Sequence, residues 1–434
     1  MASRKRTRGA PDKRSGFFGF LKRIGPGFIT GAADDDPSGI ATYSQTGATF
    51  GFSQLWTPFV TLPLMTAVQE MCGRIGMVTG NGIAGVIKRY YPKTTIALFV
   101  GLLLVTNSIN IGADLGAMAD AGELLFGVPF GVWLMGITAV TLALVIYVPY
   151  VTYVKILKIL TFSLLAYVAS VFVVRIDWSA VACAIVAPRL TLSKDFLLNV
   201  VALLGTTISP YIFFWQADEE AEEEVLDRNI AGIGDGRPRV TAKMLKGLRM
   251  DTMLGMLLSN VIMFFIILTT AATLHANGIT DIETASDAAQ ALRPLAGDFA
   301  FVLFALGVIG TGLLAIPILA GSGAYAVAEL RGWRSGLSLK PRQAKKFYGV
   351  IALITVAGLI VNFLGIPPFK MLYYTAVLNG IAAPPLLYLI LRVANDRKIM
   401  GSHVNSRLSN VLGWTTFAVM TLACLALLAA ALIG

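Results

Sequence analysis

The sequence predicts an all-α polytopic membrane protein, and three observations carry that prediction. Only 14% of the residues are charged against 56% hydrophobic, with a mean hydropathy of +0.72, where soluble domains carry roughly 25% charged residues. Apolar runs of about 20 residues, the length of a bilayer-crossing helix, recur along the whole 434-residue chain. Basic residues gather in alternate loops, as the positive-inside rule expects of cytoplasmic ones. The runs lack both the period-two alternation of a transmembrane barrel and the strand-and-turn rhythm of a soluble enzyme. The formal charge of +10 is therefore topological and no sign of nucleic-acid binding.

Eleven spans follow in order, over 24–51, 54–72, 95–117, 128–148, 154–176, 196–217, 251–274, 299–328, 347–366, 370–393 and 410–433. A basic tail (1–23) precedes them and leads into no cleavable signal segment. Bases return after the second span (Lys88, Arg89), the sixth (Arg237, Arg239, Lys243), the eighth (Arg334, Lys340, Arg342) and the tenth (Arg397, Lys398). The loop over 118–127 carries none. This alternation predicts a multi-pass protein with its N-terminus cytoplasmic and its C-terminus extracellular, and a prokaryotic plasma membrane is its expected location. Cys72, Cys183 and Cys424 are too dispersed for a disulfide framework or metal pair and are expected to be buried structural thiols.

The first span is interrupted at Asp36-Pro37 and the sixth around Ile208-Ser209-Pro210. The breaks stand five spans apart, so the second five-helix unit must run inverted relative to the first. The expected organisation is a first repeat over 24–176, a second over 196–393, and an eleventh span over 410–433. Inverted repeats with one discontinuous helix each point to a secondary transporter with its site at the midplane. In the first break stands GAADDDPSG, Gly31 to Gly39. A charge at the bilayer centre costs roughly 2.5–3.5 kcal/mol, and consecutive helical residues point about 100° apart. Three aspartates therefore cannot share one face. Unwound carbonyls beside Asp36 make a hard, anionic oxygen site of the kind a divalent cation needs. Asp34 and Asp35 are expected to cap the broken helix or to meet vestibule water.

The stretch GPGFITGAADDDPSGIATYSQTGATFGFSQLW resembles the first span of the NRAMP divalent-metal transporters, whose signature there is Asp-Pro-Gly-Asn. QEMCGRIGMVTGNGIAGVIKRYYP is similar to the second span, and GTTISPYIFFWQ to the sixth, Gly-Ala-Thr-Val-Met-Pro-His. The resemblance implies a LeuT-like fold with a metal site between the first and sixth spans. Asp36 and Pro37 match the family pattern, while Ser38 stands for the glycine and Gly39 for the metal-binding asparagine. Thr206 takes the place of an alanine that offers its carbonyl, Ser209 replaces the methionine, and Tyr211 replaces the histidine. Gln216 stands where many members have a second histidine. Asp114 matches one of two acids on the family's proton route, and Ile111 holds the other's place. Ala376 replaces a coordinating glutamine, with Asn379 one turn along.

These departures predict a different cargo. A thioether favours transition metals, and Ser209 removes it. Gly39 deletes a ligand and leaves volume, which suits Mg²⁺, an ion that dehydrates reluctantly. The implied branch is the NRAMP-related magnesium transporters. Asp36 would supply charge to a partly hydrated Mg²⁺, with Mn²⁺ also accepted. Ser209, the Thr206 carbonyl and Asn379 would contact ion or water, and Gly39 and Tyr211 would shape the site. The two histidines, His275 and His403, lie in loops, so uptake is expected to be uncoupled from protons. Asp114 and Gln216 are then remnants of a proton path or gating residues.

No cofactor is expected, the partners are the ion and the bilayer, and the expected state is a monomer. Against these stand a proton-coupled Mn²⁺ or Fe²⁺ symporter, an amino-acid carrier of the same fold class, and a cation channel. An enzyme is not expected: there is no intramembrane His-Glu zinc motif or nucleophile–base pair, and GIGDG (232–236) follows no strand. The acidic run from Asp218 to Glu224 reads as a solvated helix end or a cation-focusing vestibule. Phe213, Phe214 and Trp215 read as lipid-facing or core packing, and Glu70 as an interfacial or packing residue.

Overall fold

A computed structural model describes residues 25–148, 164–188, 190–191 and 193–433, and all regular structure among them is helical. The basic tail and the first part of the fifth span lie outside the described residues. The first span is two helices, α1 (Pro26–Asp34) and α2 (Pro37–Phe50), followed by α3 (Thr57–Thr79), α4 (Ile83–Tyr90), α5 (Lys93–Phe126) and α6 (Phe130–Tyr147). Then come α7 (Leu165–Ser170), α8 (Trp178–Val186) and the two halves of the sixth span, α9 (Lys194–Thr207) and α10 (Pro210–Leu226). The chain ends with α11 (Ala242–Thr273), α12 (Ala285–Ala289), α13 (Ala300–Arg331), α14 (Lys345–Val361), α15 (Pro368–Asn395) and α16 (Arg407–Ile433).

Eight helical stretches among the described residues are long and apolar enough to cross a bilayer, with α9 and α10 counted as one. The expected first and second spans fall short of that standard because one is split at the aspartates and the other, α3, carries Gln69, Glu70 and Arg74. The second span also runs over 57–79 where 54–72 was expected, and the sixth continues to Leu226.

Both breaks arise from one local device. Pro37 and Pro210 occupy the first helical position, where a missing N–H costs nothing. The ring also disfavours helical geometry in the residue before it. Asp36 (φ −69°, ψ 173°) and Ser209 (φ −87°, ψ 140°) are accordingly extended N-caps.

The helices around the breaks pack through backbone rather than side chains. A Cβ on Gly31 would lie 2.2 Å from the Gly255 carbonyl carbon, joining α1 to α11, and one on Gly205 would lie 2.0 Å from the Ala376 oxygen, joining α9 to α15. In lipid, where apolar burial drives no association, such close approach is what holds helices together. Asp251 on α11 accepts hydrogen bonds from the N–H groups of Gly25 (3.0 Å), Gly27 (2.9 Å) and Phe28 (3.3 Å). It thereby caps α1, whose own cap residue, Gly25, has no side chain to do so.

Three expectations need correction. Asp218, Glu220, Glu222 and Glu224 are buried, so the acidic run is no solvated helix end. Glu222 accepts from the Tyr325 hydroxyl and from the N–H groups of Leu337 (3.1 Å) and Ser338 (2.8 Å), partners more than a hundred residues away. Phe213, Phe214 and Trp215 are core packing, one of the two readings left open by the sequence. Glu70 is a buried ion-pair acceptor, taking Arg74 and Arg249 at 3.1 Å each, while Arg74 reaches on to the His403 carbonyl (2.6 Å). Of the cysteines only Cys72 is buried, and Cys183 is exposed on the short α8.

Candidate functional site

The two breaks meet in the interior. Asp36 Oδ1 accepts from the Ser38 hydroxyl (2.6 Å) and the Gly39 N–H (2.8 Å), which caps α2. Its other oxygen, Oδ2, lies 3.2 Å from the Tyr211 hydroxyl of α10, which also reaches the Ala33 carbonyl at 3.4 Å. A second link joins the halves where the Ser38 and Thr206 hydroxyls stand 3.4 Å apart. Capping of the broken helix therefore falls to Asp36, correcting the expectation that gave it to Asp34 and Asp35. Those two are also closed to vestibule water. Both are buried against Ser259 of α11, whose hydroxyl lies 2.7 Å from Asp34 Oδ2 and 3.2 Å from Asp35 Oδ1.

The carbonyls ending α9 are less free than an unwound backbone suggests. The Ser209 hydroxyl reaches back to the oxygens of Gly205 (2.6 Å) and Thr206 (2.9 Å), so it satisfies that helix end before it meets any ligand. Its own oxygen keeps lone pairs to offer. At Gly39 a Cβ would stand 3.2 Å from the Asp34 carbonyl, 3.3 Å from the Tyr43 ring and 3.5 Å from the Thr206 hydroxyl. The glycine thus keeps a small volume walled by oxygen atoms and one aromatic ring. Asn379 lies on α15, which packs on both α2 and α9, and its buried Nδ2 has no hydrogen-bond partner. Asp36, Thr206, Ser209, Tyr211 and Asn379 are all buried.

Charge here is one-sided. Asp34, Asp35, Asp36 and Asp114 are all buried carboxyl groups. Among the described residues no Lys, Arg or His pairs with any of them. Both oxygens of Asp114 on α5 are buried without a hydrogen-bond partner. A buried carboxylate without a counter-charge is costly and is relieved either by a proton or by a cation. No three His, Cys, Asp or Glu side chains among the described residues converge on one point. What the breaks offer is one carboxylate with hydroxyls and carbonyls, oxygen donors of the kind a hard cation takes.

Two residues named from the sequence stand apart from this constellation. Gln216 faces Gly73 of α3 and donates toward Glu220 (3.4 Å), and Ile111 packs on Gly358 of α14. Sequence reasoning missed Asn107 and Asn110, which with Asp114 form a buried polar stripe along α5; Asn107 donates to the Leu319 carbonyl (2.7 Å) and to Ser322 (2.9 Å). Polar residues at i, i+3 and i+7 in an apolar helix were the available signal. Ser259 carried none, because its partners lie more than two hundred residues away.

Two relatives, each called a divalent metal cation transporter MntH, are similar over nearly their whole length. That of Ralstonia nicotianae is 27% identical over 424 residues, covering 93% of this chain and 89% of the relative. That of Caldanaerobacter subterraneus subsp. tengcongensis is 25% identical over 402 residues, covering 91% and 89%. Among solved structures, a manganese transporter of Eremococcus coleocola superposes with a TM-score of 0.74 at 18% identity, over 95% of this chain and 87% of that one. Mhp1, a nucleobase-cation-symport-1 family transporter in a closed conformation, gives 0.53 at 12% identity, over 93% and 92%. The fold is LeuT-like: two inverted five-helix repeats and an eleventh helix, with the first and sixth helices discontinuous. Residues 27–430 match the family described as natural resistance-associated macrophage protein-like, and this chain belongs to it.

Proposed function

We propose that this protein imports divalent cations, Mg²⁺ and also Mn²⁺, as partly hydrated ions, by alternating access and without proton coupling. Names of the relatives support divalent-metal transport at the coarser level. The finer reading rests on one observation: among the described residues Asp36 is the one carboxylate bonded across both breaks, and its partners are Ser38, Gly39 and Tyr211, with neither thioether nor imidazole among them. A soft metal finds no soft ligand there. Because those donors already engage the carboxylate, an ion gains most by meeting it through or beside retained water, which suits Mg²⁺.

The transport cycle follows from the split helices. The chain begins in the cytoplasm, so α1 and α10 form the inner halves of the broken spans and α2 and α9 the outer halves. An ion enters past α2 and α9, is held by Asp36 with Ser209, the Thr206 carbonyl and Asn379 around it, and leaves past α1 and α10. Gly39 keeps room for its water, and Tyr211 holds the carboxylate across the two breaks. The working unit is a monomer, with repeats over 24–176 and 196–393 and an accessory span over 410–433. The competing proton-coupled symporter has one observation in its favour, the unpartnered carboxylate of Asp114.

Reconstitution into liposomes separates the two. Internal Mg²⁺ and pH are followed together for the wild type and for Asp36→Asn. The expected result is saturable Mg²⁺ entry, no internal acidification, and loss of at least about a hundredfold in the variant, since a divalent ion near one carboxylate interacts by several kcal/mol even at an effective dielectric of 20. Mn²⁺ entry with protons while Mg²⁺ is ignored would overturn the proposal.

A further inference from the structure

The acidic run on α10 holds a feature the proposed transport path does not use. Asp218 is fully buried and neither of its carboxylate oxygens has a hydrogen-bond partner. Its Oδ1 points at Gly82, at the entrance to α4, standing 1.7 Å from where a Cβ on that residue would be. Glu329 Oε1, from α13, lies 2.9 Å from the same point. Glu329 has partners of its own, the N–H groups of Gly82 (2.6 Å) and Gly85 (2.7 Å), and so caps α4 from a neighbouring helix. Asp218 has nothing equivalent. The charges it faces are Glu329, Glu219 and Glu222, all of one sign. Lys88, whose charge reaches Glu329, donates to the Glu329 backbone carbonyl (3.0 Å) and to neither carboxylate.

Position gives this pair a use. Tyr211 and Asp218 are seven residues apart on one helix, hence on the same face and about 10 Å apart. Trp215 stands between them on that face, buried, with its ring 2.8 Å from the Cβ position of Gly321 on α13 and edge-on to Tyr325 at 6.3 Å. An ion leaving Asp36 toward the cytoplasm thus meets an aromatic closure and, one turn beyond it, two converging carboxylates. Asn81 adds an amide oxygen 3.1 Å from the Cβ position of Gly85, close to Glu329.

We propose that Asp218 and Glu329, with the Asn81 amide oxygen, form a second divalent-cation site, an exit-side relay beneath Trp215. The ion bridges the carboxylate that already has donors and the one that has none. Two carboxylates and an amide are fewer ligands than a full cage, so the ion keeps waters, as Mg²⁺ does at sites with one or two carboxylates. The site rests on the proposed orientation but not on which divalent ion is carried.

Mn²⁺ binding by electron paramagnetic resonance on the purified full-length protein tests it. Wild type should bind two ions, and Asp36→Asn should keep one. Asp36→Asn/Asp218→Asn should bind at least about tenfold more weakly than Asp36→Asn alone, since affinity at oxygen sites follows ligand charge. Asp218→Asn alone should keep the ion at Asp36, which also demonstrates that this variant is folded. Gly82→Ala, which retains both carboxylates and puts a methyl against Asp218, should likewise lose the second ion only. In liposomes Asp218→Asn should lower the maximal rate with little change in KM. An Asp36→Asn protein that binds no Mn²⁺ would overturn the site, as would an Asp218→Asn protein that still binds two. Failure of the main transport reading would appear separately, as Mg²⁺ uptake that survives Asp36→Asn.

Discussion

Alanine at Gly39 separates a partly hydrated ion from a bare one. The added methyl would stand 3.2 Å from the Asp34 carbonyl, 3.3 Å from the Tyr43 ring and 3.5 Å from the Thr206 hydroxyl. The first two contacts are tight enough to require shifts of a few tenths of an ångström, and none meets rigid backbone below 3 Å. Gly39 sits in the first turn of α2 with no left-handed geometry to protect. Alanine there gains about 0.5–1 kcal/mol of helix preference over glycine, which offsets a crowding cost of similar size. The variant should therefore fold, with a thermal midpoint within a few degrees of wild type.

Its transport should not survive so well. A methyl fills much of one water's share of volume, roughly 30 Å³, between the Asp34 carbonyl and Thr206. An ion that keeps its water there must shed it. Mg²⁺ gives up water reluctantly, so its uptake at subsaturating concentration should fall at least about tenfold, equivalent to roughly 1.4 kcal/mol. Mn²⁺, which exchanges water more readily, should lose less than about threefold on the same reasoning. Proteoliposomes loaded with a Mg²⁺-sensitive dye, and in parallel with a Mn²⁺-quenched one, give both numbers under one set of conditions. Equal losses for the two ions, or no loss of either in a folded protein, would refute the hydrated-ion account.

Two further perturbations test the frame around the site. Ser259→Ala removes the hydroxyl shared by Asp34 and Asp35 and leaves two buried carboxylates without it; this should cost about 1–3 kcal/mol, seen as a lowered thermal midpoint in detergent. Asp251→Ala uncaps α1, and because hydrogen bonds to a charged group contribute about 1.5–3 kcal/mol, the amides of Gly25, Gly27 and Phe28 should exchange at least about tenfold faster with deuterium while those of α5 do not change.

The skeleton is legible in the sequence because its signals are local. A proline at the first helical position disfavours helix in the residue before it, so Pro37 and Pro210, each set among polar residues, mark both breaks, whereas Pro63, Pro317, Pro384 and Pro385 sit inside continuous helices. The same rule could have identified Asp36 as the cap, since it is the residue before the proline; three acids in a row obscure which of them the geometry selects. What escapes is non-local. Glu222 reads as a surface acid until Tyr325, Leu337 and Ser338 are brought to it, and Glu329 as a helix-end acid until Gly82 and Gly85 present their N–H groups. The i, i+4 pairing of Glu70 with Arg74 can be read from spacing, but nothing local announces that Arg249 shares the acid. In a membrane protein a run of acids at a span's end is ambiguous on composition alone, because burial is decided by which distant backbone comes to meet it.

The two breaks share a backbone device but divide the chemistry unequally. In the second, Ser209 spends its hydroxyl proton on carbonyls of its own helix end, so that break is locally satisfied and neutral. In the first, Asp36 carries a charge, and the donors that hold it come from both halves of the molecule. On the proposed reading an ion at this meeting point faces one carboxylate, while Asp34 and Asp114 are buried outside the proposed ligand set. A unit charge pair at 10 Å still interacts by roughly 1–2 kcal/mol at an effective dielectric of 20, and a divalent ion doubles that. An ionised neighbour would therefore draw the ion in without replacing its water, as the proposed hydrated cargo requires. A site that relied on direct ligands instead would need more of them than these breaks supply.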